Sequence, residues 1–162
     1  MEPTEISHHM LKTEEGQVNA VFACFGSAAQ HAQHFEAALG EFLLLFNKLA
    51  SRKLTLEALD ALDQKLQKQT MGALLRELRK YVRINDAKVD RCLELALEKR
   101  NFLMHDYFRV RKGKLRVEKE RMALLAELVQ IGSLLEQAAA LVGRHTRCIF
   151  QCDVENREIR RG

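Results

Sequence analysis

Apolar residues recur at steps of three and four along almost the whole chain, a period that helices satisfy and strands do not. From Gln17 the run Val18, Val21, Phe22, Phe25, Ala29, Ala32, Phe35, Leu39, Phe42, Phe46 and Leu49 makes one face of a long amphipathic helix. Gly26 and Gly40 are the points where it could kink or break. After "SRKLT", Thr55 suits the cap of a second helix striped by Leu56, Leu59, Leu62 and Leu66. Thr70 can restart the pattern, giving Leu74, Leu75, Leu78 and Val82. "RINDAK" reads as a turn, with Asn85 or Asp86 capping a helix from about 87 to 108. "RVRKGKLR" breaks that helix at Gly113. The last long helix is expected over roughly 117 to 143, with Leu124, Leu128, Ile131, Leu135 and Val142 on one face; Gly143 can end it, or the first half of "RHTRCIFQCDVENREIRRG" can continue as helix.

Nothing alternates with the period of a strand, and the only proline is Pro3. The expected fold class is all-α: an up-and-down bundle of four to five helices with short connections. With 162 residues, 47% of them hydrophobic, the chain can bury one core. Residues 16–150 are expected to form that single domain, between an N-terminal tail (1–15) and a C-terminal tail (151–162). Two helices carry wide apolar faces, whose surplus a homodimer would bury. Four cysteines are too few for a disulfide scaffold, so Cys24, Cys92, Cys148 and Cys152 are expected as reduced thiols in a cytoplasmic protein. No apolar run in the sequence approaches the roughly 20 residues of a membrane span. The start, "MEPTEISHHM", is too acidic and polar for a signal peptide.

The net charge of +4 is unevenly placed. Between Arg109 and Arg121 seven basic residues face two acidic ones, a local +5, so the remainder sums to −1. A basic segment on a near-neutral body suits a polyanion, although a solvated, charge-rich loop explains it as well.

One stretch, "LEKRNFLMHDYFR" (97–109), breaks the amphipathic pattern. With Leu93 at zero on a helical wheel, the apolar Ala96, Leu97, Leu103, Met104 and Phe108 all fall within about 80° of it. Arg100 lies at about −20°, inside that arc, and His105 at about 120°, with Asn101 between His105 and the stripe. A guanidinium cannot shed its proton, so burying it unpaired is costly. Arg100 can snorkel along its stem, pair with a buried carboxylate, or line a cleft between two subunits. Asn101 and His105, four apart, are neighbours able to hydrogen-bond.

The eight residues "RNFLMHDY" resemble the Arg-x4-His-x-Tyr motif of HEPN domains, an all-helical nucleotide-binding and ribonuclease family in which the motif lies late in a bundle of four or five helices. The resemblance implies a catalytic pair, Arg100 and His105, with Asn101 as a polar accessory. Tyr107 matches the tyrosine that a partner nucleotidyltransferase modifies with AMP in toxin–antitoxin members. The implied activity is metal-independent RNA cleavage by a homodimer, with no cofactor. These residue types suit that chemistry. Histidine titrates near neutrality and can take the 2′-hydroxyl proton, while arginine offers a planar, permanent charge to the developing phosphorane. Arg109, Arg111, Lys112, Lys114 and Arg116 follow directly and would hold the RNA backbone. The alternative is a non-catalytic helical module of the same fold that binds a partner or nucleotide; a third reading is a helical adaptor with no family link, in which the Arg–His motif is coincidence.

Two other groupings are incomplete as metal sites. His31 and His34, with Glu36 nearby, have a zinc-compatible spacing but no third and fourth ligand in view. His145, Cys148 and Cys152 form His-x2-Cys-x3-Cys without a second pair. His8 and His9 sit in the tail. There is no glycine-rich phosphate loop, Gly-x-Ser-x-Gly elbow or metal-nuclease carboxylate cluster.

Overall fold

The computed structural model describes residues 12–51, 55–81 and 86–159. Among these residues there are six α-helices and one 3-10 turn, and no strand. The helices are α1 (Glu14–Ala50), α2 (Leu56–Gln67), α3 (Met71–Tyr81), α4 (Ala87–His105), α5 (Tyr107–Arg111) and α6 (Glu118–Ile159), with the 3-10 turn Lys112–Arg116 before α6. The protein is an all-α helical bundle.

Local chemistry explains most of the boundaries. Thr13 accepts from the Gly16 amide at 3.0 Å and so starts α1. Thr55 and Thr70 accept from the amides of Ala58 and Ala73, both at 3.3 Å, and start α2 and α3. Asp86 accepts from the Lys88 amide at 2.8 Å ahead of α4; Asn85, the other expected cap, lies outside the described residues. Three sequence expectations fail on particular residues. Gly26 and Gly40 leave α1 unbroken. Gly143 does not stop α6: among the described residues no glycine takes the positive φ that a helix-ending glycine uses. The helix expected to reach 108 instead breaks at Asp106, whose φ of −123° leaves the helical range and separates α4 from α5.

The chain divides into two compact units. One comprises residues 1–33 and 92–137, and its core holds Val21, Leu93, Leu103, Tyr107, Leu124, Leu128 and Leu135. The other comprises residues 34–91 and 138–162, and its core is Phe35, Leu39, Phe42, Leu43, Met71, Leu74, Leu75 and Val142. An 18-residue window within Glu118–Ile149 of α6 has a mean hydropathy of 1.3, so by length and composition alone this helix could cross a membrane. Its apolar positions Leu124, Leu128, Ile131, Leu135 and Val142 are core residues here, each less than 5% exposed.

Candidate functional site

The first unit carries the whole Arg–Asn–His motif. Leu93, Ala96 and Leu103 are buried on α4, and Arg100 lies half-buried within the same arc. Its guanidinium Nη1 donates to the side-chain oxygen of exposed Asn101 at 3.3 Å. His105, the last residue of α4, is exposed and has no hydrogen-bond partner among the described residues. Asn101 is not bonded to it. Because α4 stays helical through His105, Arg100 and His105 project about 140° apart and are separated by about 7.5 Å along the axis. The structure therefore joins Arg100 to Asn101 and leaves His105 on another face of the same helix.

Tyr107 is not a rim residue. At 1% exposure it is among the largest fully buried side chains, ringed by Phe25 (5.8 Å between centroids), Phe102 (5.6 Å) and Phe108 (5.4 Å). Its hydroxyl donates to the Leu124 carbonyl at 3.4 Å. Burial first, then the negative charge of Glu127, pushes the phenol far above the ordinary tyrosine range, with Arg111 opposing. As an AMP acceptor it is closed off in this conformation.

The basic segment is largely neutralised from within. Arg109 binds Asp106 through Nε (3.1 Å) and Nη2 (2.6 Å). Arg111 binds both oxygens of Glu127, Nε at 3.1 Å and Nη2 at 2.8 Å, and its guanidinium stands 5.4 Å over the Phe102 ring. Lys114 pairs with Glu120 at 2.7 Å, which draws that carboxyl below its usual range. Of the five expected RNA contacts, Lys112 is exposed, Arg116 is exposed, and the other three are held by carboxylates. Arg121, counted in the local +5, is a buried staple. At 5% exposure it donates to Gln17 at 2.8 Å and to the Leu115 carbonyl at 2.9 Å, with Glu14 at 3.4 Å.

Sequence reasoning missed an open groove of about 430 Å³ lined by Arg111, Lys114, Ala123, Leu124, Ala126, Glu127 and Gln130. Its signal was weak: only the i,i+3 spacing of Glu127 and Gln130 and the nearby bases hinted at it. Among the described residues no group of three or more His, Cys, Asp or Glu could hold a metal. His145 contacts the Leu141 carbonyl at 2.8 Å within its own helix. Cys148 is exposed, and the side chain of Cys152 lies outside the described residues, as do His8 and His9. His31 packs at a close approach of α1 and α6, where a Cβ on Gly132 would lie 3.5 Å from its Cδ2.

The chain matches no protein-family model, no curated protein and no solved structure.

Proposed function

We propose that this protein is a HEPN-like, metal-independent endoribonuclease of the cytoplasm that works as a homodimer. One observation carries the reading: within six residues at the end of α4, a surface-reaching guanidinium is bonded to an amide beside an exposed histidine with no partner of its own. His105 takes the 2′-hydroxyl proton. The oxygen attacks the adjacent phosphorus, the P–O5′ bond breaks, and the imidazolium of His105 returns the proton to the departing 5′ oxygen; Arg100 stabilises the charge that builds on the phosphoryl oxygens, and Asn101 orients the guanidinium. The products are a 2′,3′-cyclic phosphate and a 5′-hydroxyl. Since the two groups diverge on one helix, the cleft is composite, with each copy presenting its motif to the other.

A toxin role beside a nucleotidyltransferase antitoxin belongs to the same proposal. With Tyr107 buried, such a partner has to act before α5 packs or on another group. The neutralised basic segment favours a second reading, a non-catalytic helical binding module, because fewer free charges are offered to a polyanion.

Incubation of purified protein with end-labelled RNA in EDTA tests the choice. Cleavage by the parent is expected, with a loss of about a hundredfold or more in His105→Ala and in Arg100→Ala. No cleavage by the parent, or equal cleavage by all three proteins, sinks the enzyme and leaves the binding module.

A further inference from the structure

We propose that the groove between α5, the 3-10 turn and α6 is a phosphate subsite for single-stranded RNA, and this rests on the ribonuclease reading above. Its position is the first argument. Phe102 and His105 are three apart on α4, so they share a face of the helix. Arg111 covers the Phe102 ring at 5.4 Å and also lines the groove. Arg111 thus links the groove to the face of α4 that carries Phe102 and His105.

The second argument is donor inventory. Arg111 uses its Nε hydrogen and one Nη2 hydrogen on Glu127, which leaves three of a guanidinium's five N–H donors. Lys114 gives one hydrogen to Glu120 and keeps two. These pairings fix both cationic heads in place, so an incoming phosphate meets donors that are already ordered and loses less entropy on binding. Exposed Gln130 adds an amide at the edge. Arg111 is paired with Glu127 and Lys114 with Glu120, so the groove offers a phosphodiester ordered N–H donors rather than a surplus charge. Ala123 and Leu124 add apolar groups to the lining beside these donors.

The test uses His105→Ala protein, in which RNA survives the measurement, and follows the anisotropy of a short labelled single-stranded RNA across a salt series. Adding Lys114→Ala is expected to weaken binding about tenfold and to lower the salt slope by about one. Adding Gln130→Ala, on an exposed position that leaves the fold intact, is expected to weaken binding about threefold. Lys48→Ala, in the other unit, is expected to change neither. Unaltered affinity in both groove variants overturns the subsite even where the parent cleaves RNA. Groove-dependent binding by a parent that never cleaves upholds the subsite and overturns the catalytic reading alone. A parent that binds no RNA overturns both. AMP or inorganic phosphate competing in the parent but not in Lys114→Ala reassigns the groove to a free phosphate ligand and overturns the RNA subsite.

Discussion

Tyr107, in the unit of residues 1–33 and 92–137, is sealed among three aromatic rings with its hydroxyl turned to a backbone carbonyl. Tyr81, in the unit of residues 34–91 and 138–162, is 40% exposed. Its ring rests on Phe46 at 4.7 Å, and its hydroxyl donates to Glu77 four residues earlier at 2.9 Å. The same contrast runs through the charged groups. Arg121 reaches Gln17 across 104 positions of sequence, while Arg79 meets Asp90 only 11 positions away. The first unit therefore ties distant segments together with aromatic and polar groups, and the second rests on a leucine-rich core with local pairings. Among the described residues the first unit also leaves Phe22, Met104, Val110, Val117, Met122 and Val129 more than 40% exposed, against Leu56 and Tyr81 in the second. Apolar surface concentrated on the motif-bearing unit is consistent with that unit being the one that meets another molecule.

The largest expected effect breaks the contrast most directly. Tyr107→Ala empties a fully enclosed site and should destabilise by about 3 kcal/mol or more. Tyr81→Ala removes an exposed ring and should cost less than about 1 kcal/mol. Urea denaturation of the two variants checks this, and equal losses would mean that the units share one kind of core.

A smaller difference is expected between the arginines. Arg121→Met leaves Gln17 and the Leu115 carbonyl without their buried donor, at a cost of about 2 kcal/mol. That is below the cost of breaking a fully buried ion pair, because Glu14 is 72% exposed and returns to water. Arg79→Met disrupts a pair whose side chains are 34% and 39% exposed, worth about 0.5 kcal/mol. The two also separate by salt: molar sodium chloride should erase the Arg79 effect and leave most of the Arg121 effect. A salt-insensitive Arg79 effect would argue that the second unit buries its charges too.

What could be read in the sequence follows the same division. Helix period and threonine caps are local, so α1, α2, α3 and the start of α6 were legible, as were nearly all of the leucines in the second core. The break at Asp106 was not. "HDYF" continues the apolar rhythm, and only tertiary packing of Tyr107 against α6 makes the departure from helix worthwhile. For the same reason the candidate site was half legible. The residue types Arg100, Asn101 and His105 stand out as a string, but the sequence could not say that Arg100 would reach Asn101 or that His105 would stand unpartnered. The basic segment read as free charge because two of its carboxylate partners, Glu120 and Glu127, lie up to 16 positions away, beyond helical spacing; only Asp106, three before Arg109, was within it.

The alkaline limb gives the smallest and most selective test. The Tyr107 phenol is raised by burial and by Glu127, so the folded state holds its proton more tightly than the unfolded chain does. Its contribution to stability is complete below the unfolded value of about 10 and is lost progressively as pH rises from there toward the folded value. Tyr81 is also raised, first by its hydrogen bond to Glu77 and then by desolvation, but its exposure lets it ionise without unfolding the chain. The urea midpoint should therefore hold steady up to about pH 9.5 and fall above about pH 10. Tyr107→Phe should flatten that fall at a neutral-pH cost of only about 0.5 kcal/mol, since the bond to Leu124 is long. Tyr81→Phe should leave most of the fall in place. A limb that survives Tyr107→Phe unchanged would show that the buried ring is not what couples the first unit to proton loss.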